Sequence, residues 1–108
     1  MRKLILFTDE DFNHSLAKIG INKADYTPDQ LMELHEGAKN GVDISIFAEP
    51  AFDCLQMRMI RWGLEEGLDA RKYAHSDMSL TQMQKEFILL ERRKSNLWQF
   101  DELLMDVV

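Results

Sequence analysis

Between Asp53 and Glu66, apolar residues fall on two sides of a helical wheel. Met57, Ile60 and Leu64 follow the three-and-four spacing of one helical stripe, and Leu55, Met59 and Trp62 form a second stripe on the opposite side. The first stripe has a counterpart 26 residues earlier, in Leu31, Leu34 and Ala38. The second has none: the matching positions are Asp29, Glu33 and Glu36, an acidic row, and one period later Thr81, Lys85 and Ile88. One stripe is therefore common to the copies and one is particular to each.

The periodicity extends to the punctuation of the helices. Without a gap, Gln30 aligns with Gln56, Leu34 with Ile60, Gly37 with Gly63, Gly41 with Gly67, Asp43 with Asp69, Phe47 with Tyr73 and Ala48 with Ala74. Thr27, Asp53 and Ser79 each precede a glutamine by three residues, the capping-box spacing in which the cap and the N3 side chain satisfy each other's free backbone N–H groups. Tyr26, Phe52 and Met78 before these caps, with Leu31, Met57 and Met83 after them, supply hydrophobic staples. Gly41 and Gly67 are placed to end the first two helices in the left-handed conformation, and Asp43 and Asp69 to cap a short second helix bearing Phe47 or Tyr73.

The sequence thus divides into a partial N-terminal unit over residues 8–26, one repeat over 27–52, a second over 53–78, and a degenerate third repeat with a C-terminal helix over 79–108. In the partial unit, Thr8 and Asp11 form the cap and Phe7 and Phe12 the staple. In the third copy Leu89 and Arg93 replace the glycines, so its helix is expected to run to about Lys94, with a separate helix from Ser95 onward. The expected fold is all-α: a short helical-repeat stack or small helical bundle with divergent terminal caps, preceded by a short extended segment at "KLILF".

At 108 residues and 45% hydrophobic content the chain has the size and composition of one globular domain, and 5 Gly with 2 Pro leave little room for linkers. Cys54 is the only cysteine, which excludes an intramolecular disulfide and favours a reducing, cytoplasmic setting. "MRKLILF" is too short in its apolar part for a signal peptide, and no stretch is long enough to span a membrane. A net charge of −6 argues against direct binding to nucleic-acid phosphates and toward protein partners, basic ones among them.

The segments "GAKNGVDISIFAEPAF" and "RWGLEEGLDARKYAHSDM" resemble tandem repeats of the general form "LGLxxGLDVSxYAxPxF" in poorly characterised proteins of low-GC Gram-positive bacteria, their phages and mobile elements. The resemblance covers roughly Thr27 to Arg93 and departs at Ala38 and at the missing third-copy glycines. It implies a bacterial or phage accessory protein and brings no catalytic residue with it.

Enzymatic chemistry finds little support. His14, His35, His75 and Cys54 show no metal-ligand spacing, no phosphate-binding glycine loop is present, and "GLEEG" reads as helix-ending turns, so no metal or cofactor is expected. His35 and Arg61 share a repeat position, which suggests a surface tolerant of polar residues. Two surfaces are candidates for binding. Leu55, Met59 and Trp62, rimmed by Arg58 and Arg61, have the composition of an interface hot spot, if they are not packed against Trp98 or Phe100. Asp29, Glu33 and Glu36 form an acidic row suited to a basic groove, if they are not merely a solvated helix face. The reading is a non-enzymatic protein–protein interaction module. Its alternatives are a small acidic phage or mobile-element inhibitor of a nucleic-acid-handling defence enzyme, of the anti-CRISPR kind, and a self-associating structural adaptor forming a homo-oligomer.

Overall fold

The computed structural model describes the backbone of residues 6–107 and the side chains of residues 6–94. Four α-helices, α1 (Asp9–Lys18), α2 (Pro28–Lys39), α3 (Cys54–Glu65) and α4 (Leu80–Val107), alternate with three single 3₁₀ turns at Lys23–Asp25, Ile44–Ile46 and Ala70–Lys72. No strand occurs among the described residues. The fold is all-α.

Each helix starts where the punctuation places it. Thr8, Thr27 and Asp53 accept from the N3 backbone N–H of α1, α2 and α3, and the N3 side chain answers in each case. Ser79 and Gln82 make the same reciprocal pair at α4. α1, α2 and α3 then end in one motif, with Gly20, Gly41 and Gly67 at φ of 73°, 79° and 76°. The residue after each glycine donates back five positions, Ile21 to Leu16, Val42 to Gly37 and Leu68 to Gly63, so the last free carbonyls are satisfied before the chain turns away.

The capping glutamines do more than cap. Gln30 Oε1 accepts from the Thr27 N–H at 2.8 Å while its Nε2 donates to the carbonyls of Phe52 (2.6 Å) and Pro50 (3.1 Å), just ahead of α3. Gln56 repeats this from α3 to α4, accepting from the Asp53 N–H at 2.9 Å and donating to Met78 (2.8 Å) and Ser76 (3.3 Å). Both side chains are buried. A glutamate would serve the capping box equally well but has no hydrogen to give the next unit, which explains the amide at this position. Gln56→Glu should therefore cost about 2–3 kcal/mol, because a carboxylate would face two carbonyl oxygens. Chemical denaturation should show a lower midpoint at unchanged slope, with the exposed Gln82→Glu near wild type.

Successive long helices lie side by side and in register. Asn40 near the end of α2 bonds Glu65 near the end of α3, and Glu33 in mid-α2 meets Arg58 and Arg61 in mid-α3, so the two helices run parallel. The core between them holds Leu34, Met57 and Ile60, with Phe12 and Leu16 from α1 and Met83 from α4. Phe47 and Tyr73, which follow the second and third 3₁₀ turns, close it from the other side and are fully buried.

These aromatic rings overturn one reading of the glycines. Gly63 is not a turn residue. It lies inside α3, as Gly37 lies inside α2, and its missing side chain is the seat of an aromatic ring. A Cβ on Gly37 would sit 2.7 Å from Phe47 Cζ, and one on Gly63 would overlap the Tyr73 hydroxyl oxygen. That hydroxyl donates to the Met59 carbonyl at 2.8 Å, and burial pushes its pKa up.

Two other expectations change. α4 is continuous from Leu80 to Val107, so no helix boundary falls at Ser95: there is no Gly or Pro in this stretch to end the helix, and Ser is tolerated in a helix interior. Asp69 does not cap its 3₁₀ turn as Asp43 does, since its carboxylate pairs with Arg71 at 3.2 Å instead. Leu89 occupies the glycine seat of α4 and is exposed, so no following aromatic can dock there. The end of α3 is instead held by Lys94, whose ammonium donates to the Glu66 carbonyl at 2.7 Å. Residues 3–5 of "KLILF" lie outside the described residues, while Phe7 packs edge-on against His35.

Candidate interaction face

The two candidate stripes are each divided by the fold, in the same way. At about 100° per residue, Leu55 and Trp62 lie about 20° apart around α3, whereas Met59 is rotated some 40–60° toward the core. Met59 is accordingly buried, 7% exposed, while Leu55 and Trp62 keep 47% and 44% of their surface. Repeat equivalence carries this to α2: Asp29 is exposed and Glu36 half-buried, but Glu33, in the Met59 position, is only 4% exposed. Met59 and Glu33 therefore leave the list of partner-binding residues. Trp98 and Phe100, the expected cover for Trp62, have side chains outside the described residues.

Arg61 leaves it as well. Glu33 is gripped from α3 on both oxygens, Oε1 by Arg58 Nε at 2.8 Å and Oε2 by Arg61 Nε at 2.9 Å. Arg61 also pairs with Glu65 at 2.9 Å, and Glu65 accepts from Asn40 at 2.6 Å. Burial alone lowers the Arg61 pKa, but the hydrogen bonds and charges of Glu65 and Glu33 more than reverse this and leave it raised. The position shared by Arg61 and His35 is thus no tolerant surface, because each side chain faces the preceding unit. Arg61 meets Glu33 there, and His35 sits edge-on to Phe7 and Phe12 with centroids at 5.0 Å. The signal was in the sequence: separations of 25 and 28 residues, close to one period, mark opposite charges on neighbouring helices.

What stays outside is one continuous face. Asp29 and Glu36 on α2, Leu55, Arg58 and Trp62 on α3, and Ile88 on α4, 45% exposed, share the outward direction of parallel neighbouring helices. The acidic row and the apolar stripe are thus parts of the same surface. Among the described residues no three His, Cys, Asp or Glu side chains converge to hold a metal ion. No described helix is long and apolar enough to cross a membrane. Fold and face together define an all-α chain of stacked helical units with a mixed apolar and charged outer surface. Compared with protein-family models, curated proteins and solved structures, the chain matches none.

Proposed function

We propose that the chain is a non-enzymatic protein–protein interaction module that engages its partner through the outer face of α2, α3 and α4. The observation that carries this reading is the rotational lock on α3. Met59 and the Tyr73–Met59 hydrogen bond fix the helix with Leu55 and Trp62 outward, and the Arg58–Glu33 pair holds a guanidinium beside them. A large apolar pair held outward beside an arginine has the composition of an interface anchor.

A photo-crosslinking phenylalanine analogue placed at position 55 or 88 should give a discrete adduct in the native cell, and the same analogue at exposed Glu49 should give none. Equal adducts from all three positions, or none from 55 and 88, would sink the reading. Leu55→Ser combined with Trp62→Ser should abolish the adduct from position 88 while costing no more than about 1–2 kcal/mol of stability.

A further inference from the structure

We infer a second interface on this chain, in which α4 pairs antiparallel with α4 of a second copy through the part of the helix that outruns the stack. α3 ends at Glu65, whose repeat equivalent on α4 is Glu91, and Lys94 already meets the Glu66 carbonyl at the end of α3. α4 nevertheless continues to Val107, about 24 Å past Glu91, and the stack has no further helix to set beside that length among the described residues. The sequence does not turn polar there. Met83 and Leu90, which face the core, are continued along the same side of α4 by Leu97 and Leu104 at seven-residue spacing, with Phe100 and Val107 next to them in register. Ser95, Gln99, Glu102 and Asp106 make the opposite strip. Leu89, 54% exposed, lies within about 20° of Phe100 and Val107 around the helix, so the apolar stripe begins on the fold itself. A helix of this length standing clear of its own fold is marginal in water and gains its stability from a second helix on its apolar side.

Charge selects the occupant. From Glu91 to Val107 the cations come first and the acids last: Arg92, Arg93 and Lys94 against Glu91, then Asp101, Glu102 and Asp106 with no cation among them. Nothing alongside reverses this order, because Lys85 and Glu86 cancel on the preceding turns and the loop from Glu66 to Lys72 at the end of α3 carries two acids and two bases. Carboxylates in the last two turns also oppose the helix macrodipole. An antiparallel copy removes the conflict. It sets Arg92 and Arg93 of each chain beside the acidic end of the other and brings the two apolar stripes together about Leu97 and Phe100. A parallel copy sets like charge against like, and a uniformly acidic or basic helix matches only one half. The antiparallel pairing is isologous and closes at two chains. Ile88 lies about 180° around α4 from Leu97, so the outer face of α2, α3 and α4 stays free for a partner.

Sedimentation velocity of the full chain, from about 1 to about 200 µM, should show monomer passing to dimer. Leu104→Asp should leave a monomer whose stack still melts cooperatively by circular dichroism, since position 104 lies past the end of α3. Arg92→Glu with Arg93→Glu should raise the dimer Kd roughly ten-fold or more, as should Asp101→Arg with Glu102→Arg. All four changes in one chain should bring it back to within about three-fold of wild type, a rescue that only the antiparallel arrangement gives. A monomer throughout, assembly beyond two chains, a dimer indifferent to Leu104→Asp, or four reversals that fail to restore association would overturn the inference. A dimer lost in Leu55→Ser with Trp62→Ser would also overturn it, by placing the second copy on the outer face. Loss of the crosslink from position 55 removes the partner-binding reading and leaves this dimer standing.

Discussion

Glu33→Lys should unfold most of the molecule at moderate temperature, whereas Glu36→Lys, three residues away in the same acidic row, should melt close to wild type. The difference follows from their surroundings. Glu33 is 4% exposed and holds two guanidiniums from α3 at 2.8 and 2.9 Å. Removing the acidic partner from such a pair costs about 3–5 kcal/mol, and a third cation at that spot adds repulsion. For a domain of this size that is a loss of some 15–30 °C in melting temperature. Glu36 is half-buried and has no ion-pair partner among the described residues, so its reversal removes no described contact. Circular dichroism at 222 nm during heating separates the two. If both variants melt within a few degrees of wild type, the Glu33 grip is not present in solution.

Gly63→Ala, ordinarily a favourable change in a helix, should here cost about 3 kcal/mol. Propensity alone would return about 1 kcal/mol. Against it, the new methyl would take the place of the Tyr73 hydroxyl, in a ring that is fully buried, and the displaced hydroxyl would leave the Met59 carbonyl without its donor. Gly63→Ala with Tyr73→Phe should recover more than half of the loss, since the overlapping atom is gone, even though Cζ would remain 3.1 Å from the new Cβ. Urea denaturation of the two single variants and the double variant gives the coupling directly. Additive losses would mean that the ring does not sit on this glycine.

How much of this was legible beforehand depended on whether a signal was local. Capping boxes act within three residues, so Thr8, Thr27, Asp53 and Ser79 were readable, as were the left-handed glycines at positions 41 and 67. The second role of Gln30 and Gln56 was not, because the carbonyls they reach lie 20 and 22 residues away and only the constant choice of amide over carboxylate hints at them. Gly63 was misread because a helix-interior glycine and a turn glycine look alike until the ring above one of them is known. For the face, the i, i+4, i+7 spacing grouped Leu55, Met59 and Trp62 correctly as neighbours. A stripe that wide straddles the boundary between core and surface, and how far the helix is rolled is decided by its neighbours rather than by its own residues. The same roll put Glu33 inside and left Asp29 and Glu36 facing out.

The leucine in the glycine seat of α4 also decides how long the stack can be. A 26-residue unit is closed by an aromatic ring returning to a bare stretch of its own helix and is joined to the next by a glutamine reaching forward, and the unit built on α3 has both. α4 offers neither an open seat at Leu89 nor the turn glycine at Arg93, so a copy of residues 53–78 has a lawful place before Ser79 and none after it. Lineages that lengthened or shortened the array could do so by whole units in its middle, with both ends unchanged and the outer face growing or shrinking by one helix at a time.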